Sequence, residues 1–410
     1  MQTKQSVIIL QADSNGCYPI PAVKGGAVST LMEHLVRLND DKQTIDLSIV
    51  SFFDEEAERQ ANSKYPNINF IWVRRSWIVK SFDWLILHIV KLLLPKQKWI
   101  SYIAIASLLW YIWKAKKILK ETKYDKVVLQ NNIPLIWAIK LSKYKGDYIY
   151  HLHNIPRINA KCKELFSKCK RFLCVSEYVG KAISNIDNPI GPIPEDKIRV
   201  LYNCVDTRLF RPKEINKQDL CKQFGIFDNE HIIMFSGRLS QEKGVDYLLK
   251  SLDFIKTPNI KVLIVGSAMY NQKTKDAYHQ QLLQLAKKHK EKIVFTGYIP
   301  QQTLPDIYNL ADISVLPSIW DEPAGLTMIE SLACGTPVIT TNSGGIPEYV
   351  AECAIVLERN SCLPKEIAKA IDMLFSDEIL YKKYKQIGFE RIQKYFSSDN
   401  YLDSFIKAIL

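Results

Sequence analysis

The sequence predicts an α/β protein of two Rossmann-like domains, each a parallel sheet with helices on both faces. Three observations carry that expectation. The 410 residues are too many for one ordinary core and fit two domains of roughly 200 residues each. Hydrophobic content of 47% beside 24% charged residues describes a soluble globular chain and excludes a disordered tail or a disulfide-stapled miniprotein. Short β-rich apolar runs alternate with helix-period segments from end to end, which is the pattern of βα units.

In the first half, such runs give strands at Ser6–Leu10, Asp46–Phe52, Asn69–Val73, Lys126–Gln130, Tyr148–His153, Phe172–Ser176 and Arg199–Tyr202. Between them apolar residues recur at helical spacing, as in Val28–Asn39 and Leu135–Lys143. The second half repeats the rhythm with strands at His231–Ser236, Val262–Gly266, Ile293–Gly297, Ile313–Pro317, Val338–Thr341 and Ala354–Leu357. Its helices include Val245–Ile255, Asp276–Lys290, Thr327–Cys334 and Lys365–Phe375. Asn203–Asn229, with Pro212, several charges and no sustained period, reads as the linker. Ligands of such sheets sit outside the carboxyl ends of the strands, so the turns just after strands are where chemistry belongs.

The opening MQTKQSVIILQADSNG holds a five-residue apolar run before polar turn residues, a first strand rather than a signal peptide. Nine cysteines, with no C-x-x-C pair, read as buried reduced thiols of a cytosolic protein, with no metal framework implied. The formal charge of +12 is uneven. Residues 1–200 carry 30 Lys and Arg against 18 Asp and Glu, whereas residues 201–410 carry 25 of each. Residues 71–145 alone hold 15 basic against 3 acidic side chains, a local surface potential rather than a general solubility charge.

The most informative stretch is Pro317–Pro347, PSIWDEPAGLTMIESLACGTPVITTNSGGIP. A strand ends, a polar loop with Asp321, Glu322 and Pro323 follows, and Gly325 opens a helix holding Glu330. Glu330 stands among apolar neighbours, where an ionised carboxylate is costly unless paired. A sugar or ribose diol would satisfy both of its oxygens, and free N–H groups near Leu326 and Thr327 would face an anion. A lone helical Glu, however, more often pairs with a structural Lys or Arg. In the second cluster, Gly237-Arg238 and Lys243-Gly244 frame a tight loop after the first strand of the second half. A guanidinium and an ammonium there suit a diphosphate and its departing charge. Gly25-Gly26, between strand and helix, allow close approach to a phosphate but lack the spacing of a dinucleotide fingerprint or a P-loop. His153 falls at a strand's carboxyl end and suits a phosphate or sugar oxygen, while His151 reads as a satisfied structural histidine. No Asp-x-Asp occurs, so a carboxylate-held divalent metal has no obvious seat.

Together these residues resemble glycosyltransferase family 4, retaining, nucleotide-sugar-dependent enzymes of the GT-B fold. The match spans nearly the whole chain. It includes Gly25-Gly26, His153, Ser176-Glu177 and Asn203-Cys204-Val205-Asp206, then Gly237-Arg238, Lys243-Gly244, Glu322 to Glu330, and Gly335-Thr336-Pro337-Val338. The resemblance implies an acceptor-binding domain at 1–205, with a helix at about 393–410 packing back on it, and a donor-binding domain at 206–392. It gives Glu330 the ribose hydroxyls, Arg238 and Lys243 the diphosphate, and Glu322 with backbone from Ala324, Gly325, Leu326 and Thr327 the transferred sugar. Gly25, Gly26 and Gly237 would border the diphosphate, His153 the sugar–phosphate region, and Gly297-Tyr298-Ile299 the base. His153, Arg238, Lys243 and Glu322 would act in the reaction. No cofactor or metal is implied, the commonest donors of similar enzymes being UDP-linked, and retention is explained there by front-face attack. Two departures stand out. Cys204 replaces the usual glycine of the junction, and Ala324 stands where an aromatic is frequent, which widens the pocket beside the sugar.

The basic stretch is also rich in tryptophan. Residues 71–120 hold Trp72, Trp77, Trp84, Trp99, Trp110 and Trp113, mixed with Arg74, Arg75, Lys80, Lys91, Lys96 and Lys98. Its apolar run Tyr102–Trp113 is 12 residues, short of the roughly 20 that span a bilayer. Such segments lie in the headgroup plane of anionic lipid, which points to a saccharide or lipid-linked acceptor and to a cytoplasmic protein peripheral on the inner membrane face. A core helix with a solvated basic face is the alternative; no nucleic-acid motif accompanies the charge. The function expected is sugar transfer in bacterial surface polysaccharide or glycoconjugate assembly. A sugar-nucleotide epimerase of the same fold, or a silent partner subunit binding glycan or membrane, remain open alternatives.

Overall fold

Val7, Ile8, Ile9 and Leu10 are wholly buried, alternate residues included, as are Val127, Val128 and Leu129. Burial on both faces is the mark of a central strand in a parallel sheet covered by helices on each side. The computed structural model describes residues 4–13, 15–93, 102–266 and 277–410. They form two units, Met1–Tyr202 with Asp399–Leu410, and Asn203–Ser398. Lys96, Lys98 and Trp99 of the basic stretch, and Asp276 of an expected helix, lie outside the described residues.

The first unit runs β1 (Ser6–Leu10), α1 (Ala27–Lys42), β2 (Asp46–Phe52), α2 (Glu55–Lys64), β3 (Asn69–Val73), α3 (Trp77–Leu93) and α4 (Ile105–Glu121). It continues through β4 (Lys126–Gln130), α5 (Ile136–Ser142), β5 (Asp147–Leu152), α6 (Lys163–Lys168), β6 (Arg171–Cys174), α7 (Glu177–Ser184) and β7 (Ile198–Val200). The strands are ordered β3-β2-β1-β4-β5-β6-β7, every pairing parallel. The second unit runs α8 (Lys217–Phe224), β8 (His231–Ser236), α9 (Val245–Ser251), β9 (Ile260–Val265), α10 (Ala277–Ala286), β10 (Ile293–Gly297), α11 (Leu304–Leu310) and β11 (Ile313–Leu316). There follow α12 (Leu326–Ala333), β12 (Val338–Thr341), α13 (Ile346–Val350), β13 (Ile355–Leu357), α14 (Leu363–Ser376) and α15 (Glu378–Arg391). Its parallel sheet is ordered β10-β9-β8-β11-β12-β13. The last helix, α16 (Tyr401–Ile409), belongs to the first unit, where Lys42 of α1 pairs with Asp403 at 3.0 Å.

Several boundaries differ from the sequence reading, each for a local reason. Strand β6 stops at Cys174 because Ser176 caps α7 instead, its hydroxyl accepting the Val179 amide at 3.2 Å. The expected linker contains α8, opened by Asn216, whose Oδ1 accepts the Asp219 amide at 3.2 Å, and closed by left-handed Gly225. The helix expected to reach Lys290 gives way after Ala286 to a 3-10 turn, because Lys287–Lys292 offers four lysines and no apolar face. All nine cysteines are free; seven are buried, but Cys17 is part-exposed and Cys362 exposed, so the reading of all nine as buried is corrected.

Candidate active site

Each sheet reverses its winding once, between β1 and β4 and between β8 and β11. Connections leave such a point in opposite directions and open a crevice at the strands' carboxyl ends. In the second unit the loops after β8, β9 and β11 meet there at backbone contact. Gly266 has φ 137°, and a Cβ on it would lie 1.9 Å from the Gly237 carbonyl oxygen. Gly244 has φ 67°, and a Cβ there would lie 2.0 Å from the Pro317 oxygen. Only glycine permits either approach. The Glu242 carbonyl then accepts the Ile319 amide and the Ser318 hydroxyl, both at 3.0 Å, joining the two loops.

This close joining sets the charged groups. Lys243 Nζ lies 2.6 Å from Glu322 Oε1, which also accepts the Ser318 hydroxyl at 2.8 Å. Glu322 is buried, and its own carbonyl accepts the Gly345 amide at 2.7 Å. Beside it, Asp321 pairs with Arg359 at 2.8 Å. Arg238 follows Gly237 into solvent; its side chain is 57% exposed, and among the described residues its ion-pair approach is the long 3.9 Å to Glu242, which leaves the guanidinium available to an anion.

Glu330 sits on α12, directly after this loop. Part of the residue reaches solvent, yet protein crowds its carboxyl, and that burial pushes its pKa up to about 7. The Tyr308 hydroxyl, 3.1 Å from Oε2, works against the shift by donating to the ionised form. Among the described residues no Lys or Arg pairs with it, so the structural ion pair considered from sequence is not what holds it. No side chain caps the first turn of α12, whose amides at Leu326 and Thr327 follow Ala324 and Gly325. Tyr298 and Ile299 follow Gly297 at the end of β10, two strands from β8, with Tyr298 half exposed.

In the first unit, Gly25 and Gly26 take φ 71° and 100° ahead of α1, which no side chain caps. His153 stands just past β5, one residue beyond the strand's end rather than within it. Its amide donates to Asn131 Oδ1 at 3.0 Å, and Nε2 lies 3.1 Å from Gln130 Oε1, which makes Nε2 the protonated nitrogen and leaves Nδ1 to accept. Burial pushes His153 down to about 3, so the ring is neutral at physiological pH. His151, 4.2 Å away, is wholly buried, and among the described residues neither of its ring nitrogens has a partner. The expectation of a satisfied histidine is therefore corrected; burial holds it neutral instead.

Thus Lys243 and Glu322 are brought into contact, with Glu330 on the adjoining helix. Sequence reasoning missed Ser318, which holds Glu322, Tyr308, which holds Glu330, Gln130, which holds His153, and Gly266, which admits the loop. Ser318 lay four residues from Glu322 in the quoted loop; Tyr308 and Gln130 carry no local signal.

Comparison with known proteins identifies the family and the fold. Profiles of the families described as "Glycosyltransferase Family 4" and "Glycosyl transferases group 1" match residues 25–209 and 216–391. The chain is 26% identical over 393 residues to the Bacillus subtilis glycosyltransferase YtcC, covering 92% of this chain and 86% of that one. It is 24% identical over 231 residues to the lipopolysaccharide 1,2-N-acetylglucosaminetransferase of Salmonella typhimurium, covering 55% and 57%. Among solved structures it is similar to Anabaena Alr3699/HepE, crystallised with UDP and glucose, at TM-score 0.70 and 17% identity over 99% of both chains. A glycosyltransferase from Rickettsia africae gives TM-score 0.73 and 20% identity over 99% of this chain and 98% of that one. With profiles covering both units and two parallel sheets of this order, the chain belongs to glycosyltransferase family 4 and has the GT-B fold.

Proposed function

We propose that the protein moves a sugar, with retention, from a UDP-linked donor to a saccharide or lipid-linked acceptor during assembly of a cell-surface polysaccharide or glycoconjugate. The observation that carries the reading is the Lys243–Glu322 contact at the β8/β11 switch point, with Arg238 unspent beside it. An arriving diphosphate offers Lys243 and Arg238 a stronger anion than either now has, and their charge stabilises the departing nucleotide. Glu322, relieved of its lysine, accepts from hydroxyls of the sugar, and Glu330 from those of the ribose. In the transfer, the bond from the anomeric carbon to the phosphate oxygen breaks and one to the acceptor oxygen forms on the same face. The acceptor's proton passes to the departing phosphate, with no metal required. The second unit is the donor side and the first the acceptor side. The UDP and glucose bound by HepE, and the lipopolysaccharide acceptor of the Salmonella relative, support donor and acceptor class.

Membrane proximity is part of the reading. Among the described residues no helix is long and apolar enough to cross a membrane. Helix α3, however, turns Ile78, Phe82, Leu85, Ile89 and Leu92 outward, each more than 40% exposed, beside basic side chains of residues 71–145. An apolar stripe with flanking cations suits the inner, anionic face of a cell membrane.

Purified protein offered a panel of nucleotide sugars is expected to release free nucleotide slowly from UDP-sugars without added metal. Accumulation of epimerised donor instead would favour the epimerase, and binding with neither product would favour a silent subunit. Flotation with anionic vesicles is expected to carry the protein upward at low salt; recovery only in the pellet fractions would remove the membrane from the proposal.

A further inference from the structure

The loops after β1 and β3, the beginning of α3 and the turn before α4 line an open cavity of about 400 Å³, wholly within the first unit. Its walls carry three cations, Lys24, Arg75 and Lys80, one carboxylate, Asp83, and the rings of Tyr18 and Trp84. The carboxylate is already engaged. Asp83 Oδ1 accepts the Ser107 amide at 3.1 Å and Oδ2 its hydroxyl, which binds α3 to the first turn of α4. Lys24 is shared with Asp54, at 2.6 Å. Arg75 reaches the Ser107 hydroxyl at 3.4 Å and lies 5.8 Å from the centre of the Phe52 ring, and among the described residues neither Arg75 nor Lys80 pairs with a carboxylate. Arg75 and Lys80 outweigh the single charge of Asp83, so the cavity is net positive and, with aromatic faces beside it, makes a seat for a phosphate joined to a sugar. The motifs of the second unit do not reach this place; its residues are scattered over 16–104 and meet only in the fold.

We propose that this cavity binds the phosphate or pyrophosphate of the acceptor, with Arg75 and Lys80 as its principal ligands and Tyr18 and Trp84 against the adjoining sugar. The inference rests on reading the first unit as the acceptor side and narrows the acceptor to an anionic, phosphate-bearing one. That phosphate has two sources, a lipid headgroup or a water-soluble sugar phosphate. Trp84 lies on α3 beside the outward apolar stripe, so a lipid tail leaving the cavity has an apolar path along the helix.

The test uses the full chain saturated with UDP, so that the donor's diphosphate site is filled, and titrates inorganic phosphate and monomeric dodecyl phosphate by calorimetry. Both are expected to bind saturably. Lys80→Gln, at an exposed position that leaves folding untouched, is expected to weaken both about tenfold, and Arg75→Gln with Lys80→Gln to abolish them, with UDP affinity unchanged. Dodecyl phosphate binding more than tenfold tighter than phosphate supports the lipid source, and equal binding supports the soluble one. Absence of saturable binding, or equal affinity in parent and variants, overturns the proposal. If UDP itself fails to bind, the donor reading has failed instead, and the same comparison of variants on the UDP-free protein still decides the phosphate seat.

Discussion

Two charged regions of this chain are built in opposite ways. Behind β8 and β11, glycines bring loops to backbone contact, Lys243 and Glu322 lie 2.6 Å apart, and Ser318 fixes the carboxylate from the other side. Beyond β1 and β3, long side chains line an open cavity, and among the described residues Arg75 and Lys80 on its wall pair with no carboxylate. On the proposed function, the contrast follows from what each side would recognise. A nucleotide diphosphate is always the same leaving group, so rigid, prepaired charges lower the barrier without reorganising. Acceptors differ between relatives, and a cavity lined by adaptable side chains is where such differences are accommodated.

The sharpest way to break this comparison is steric. Gly266→Ala is expected to destabilise the second unit by upwards of about 4 kcal/mol, because the new Cβ meets a carbonyl oxygen at 1.9 Å in a backbone region closed to other residues. Gly25→Ala, with φ 71° but nothing within 4 Å, is expected to cost only about 1 kcal/mol. Urea denaturation of both variants measures the difference; similar midpoints would mean that the donor loops are not crowded. Next in size is chemistry. Lys243→Ala removes the partner of Glu322 and a phosphate ligand together, and donor hydrolysis is expected to fall about 10²- to 10³-fold. Retention of the parental rate would dissociate the contact from function.

A third effect is smaller and depends on pH. Burial raises the Glu330 carboxyl from 4.5 to about 7. Between those values the folded chain holds a proton that the unfolded chain has released, so this group's contribution to stability falls as pH rises from about 4.5 through 7. Glu330→Gln is therefore expected to be stabilised relative to the parent by roughly 3 kcal/mol at pH 8.5 and unchanged near pH 4.5. The same substitution should weaken UDP binding most above pH 7, where the parent has an acceptor for ribose hydroxyls. A flat difference across pH would show that the carboxyl titrates normally.

What could be read from the chain follows the same division. The alternation of Val-, Ile- and Leu-rich runs with helix-period segments identified both sheets, since burial on two faces leaves a continuous apolar signature in strands such as Ile8–Leu10 and Val262–Val265. Glu322, Glu330, Arg238 and Lys243 were singled out from sequence because the proposed donor site lies on two short segments, each with its residues near one another in sequence. Tyr308 and Gln130 were not, because their partners Glu330 and His153 lie 22 and 23 positions away and only the fold unites them. The cavity in the first unit was hidden for the same reason, its lining drawn from the loops after β1 and β3 and from α3 and α4. Ser176 shows the reverse error, a residue read as the end of a strand whose hydroxyl instead makes it the cap of the next helix.

The smallest expected effect tests whether the donor side is tuned as well as packed. Tyr308 is wholly buried, its ring 6.1 Å from Phe210 at an edge-on angle, and its hydroxyl is the one described side-chain donor to Glu330. Tyr308→Phe keeps the ring and removes only that hydroxyl, which costs the ionised carboxylate a hydrogen bond of about 1 kcal/mol. The Glu330 pKa should then rise by somewhat less than one unit further, since about 1.4 kcal/mol corresponds to one unit. At pH 7 the ionised fraction falls and UDP binding should weaken about threefold, whereas at pH 9 parent and variant should converge. The shift in the midpoint of the pH profile separates this role from mere packing, because a packing defect would lower affinity equally at every pH. An unmoved midpoint would leave Tyr308 as a core residue and return the control of Glu330 to burial alone.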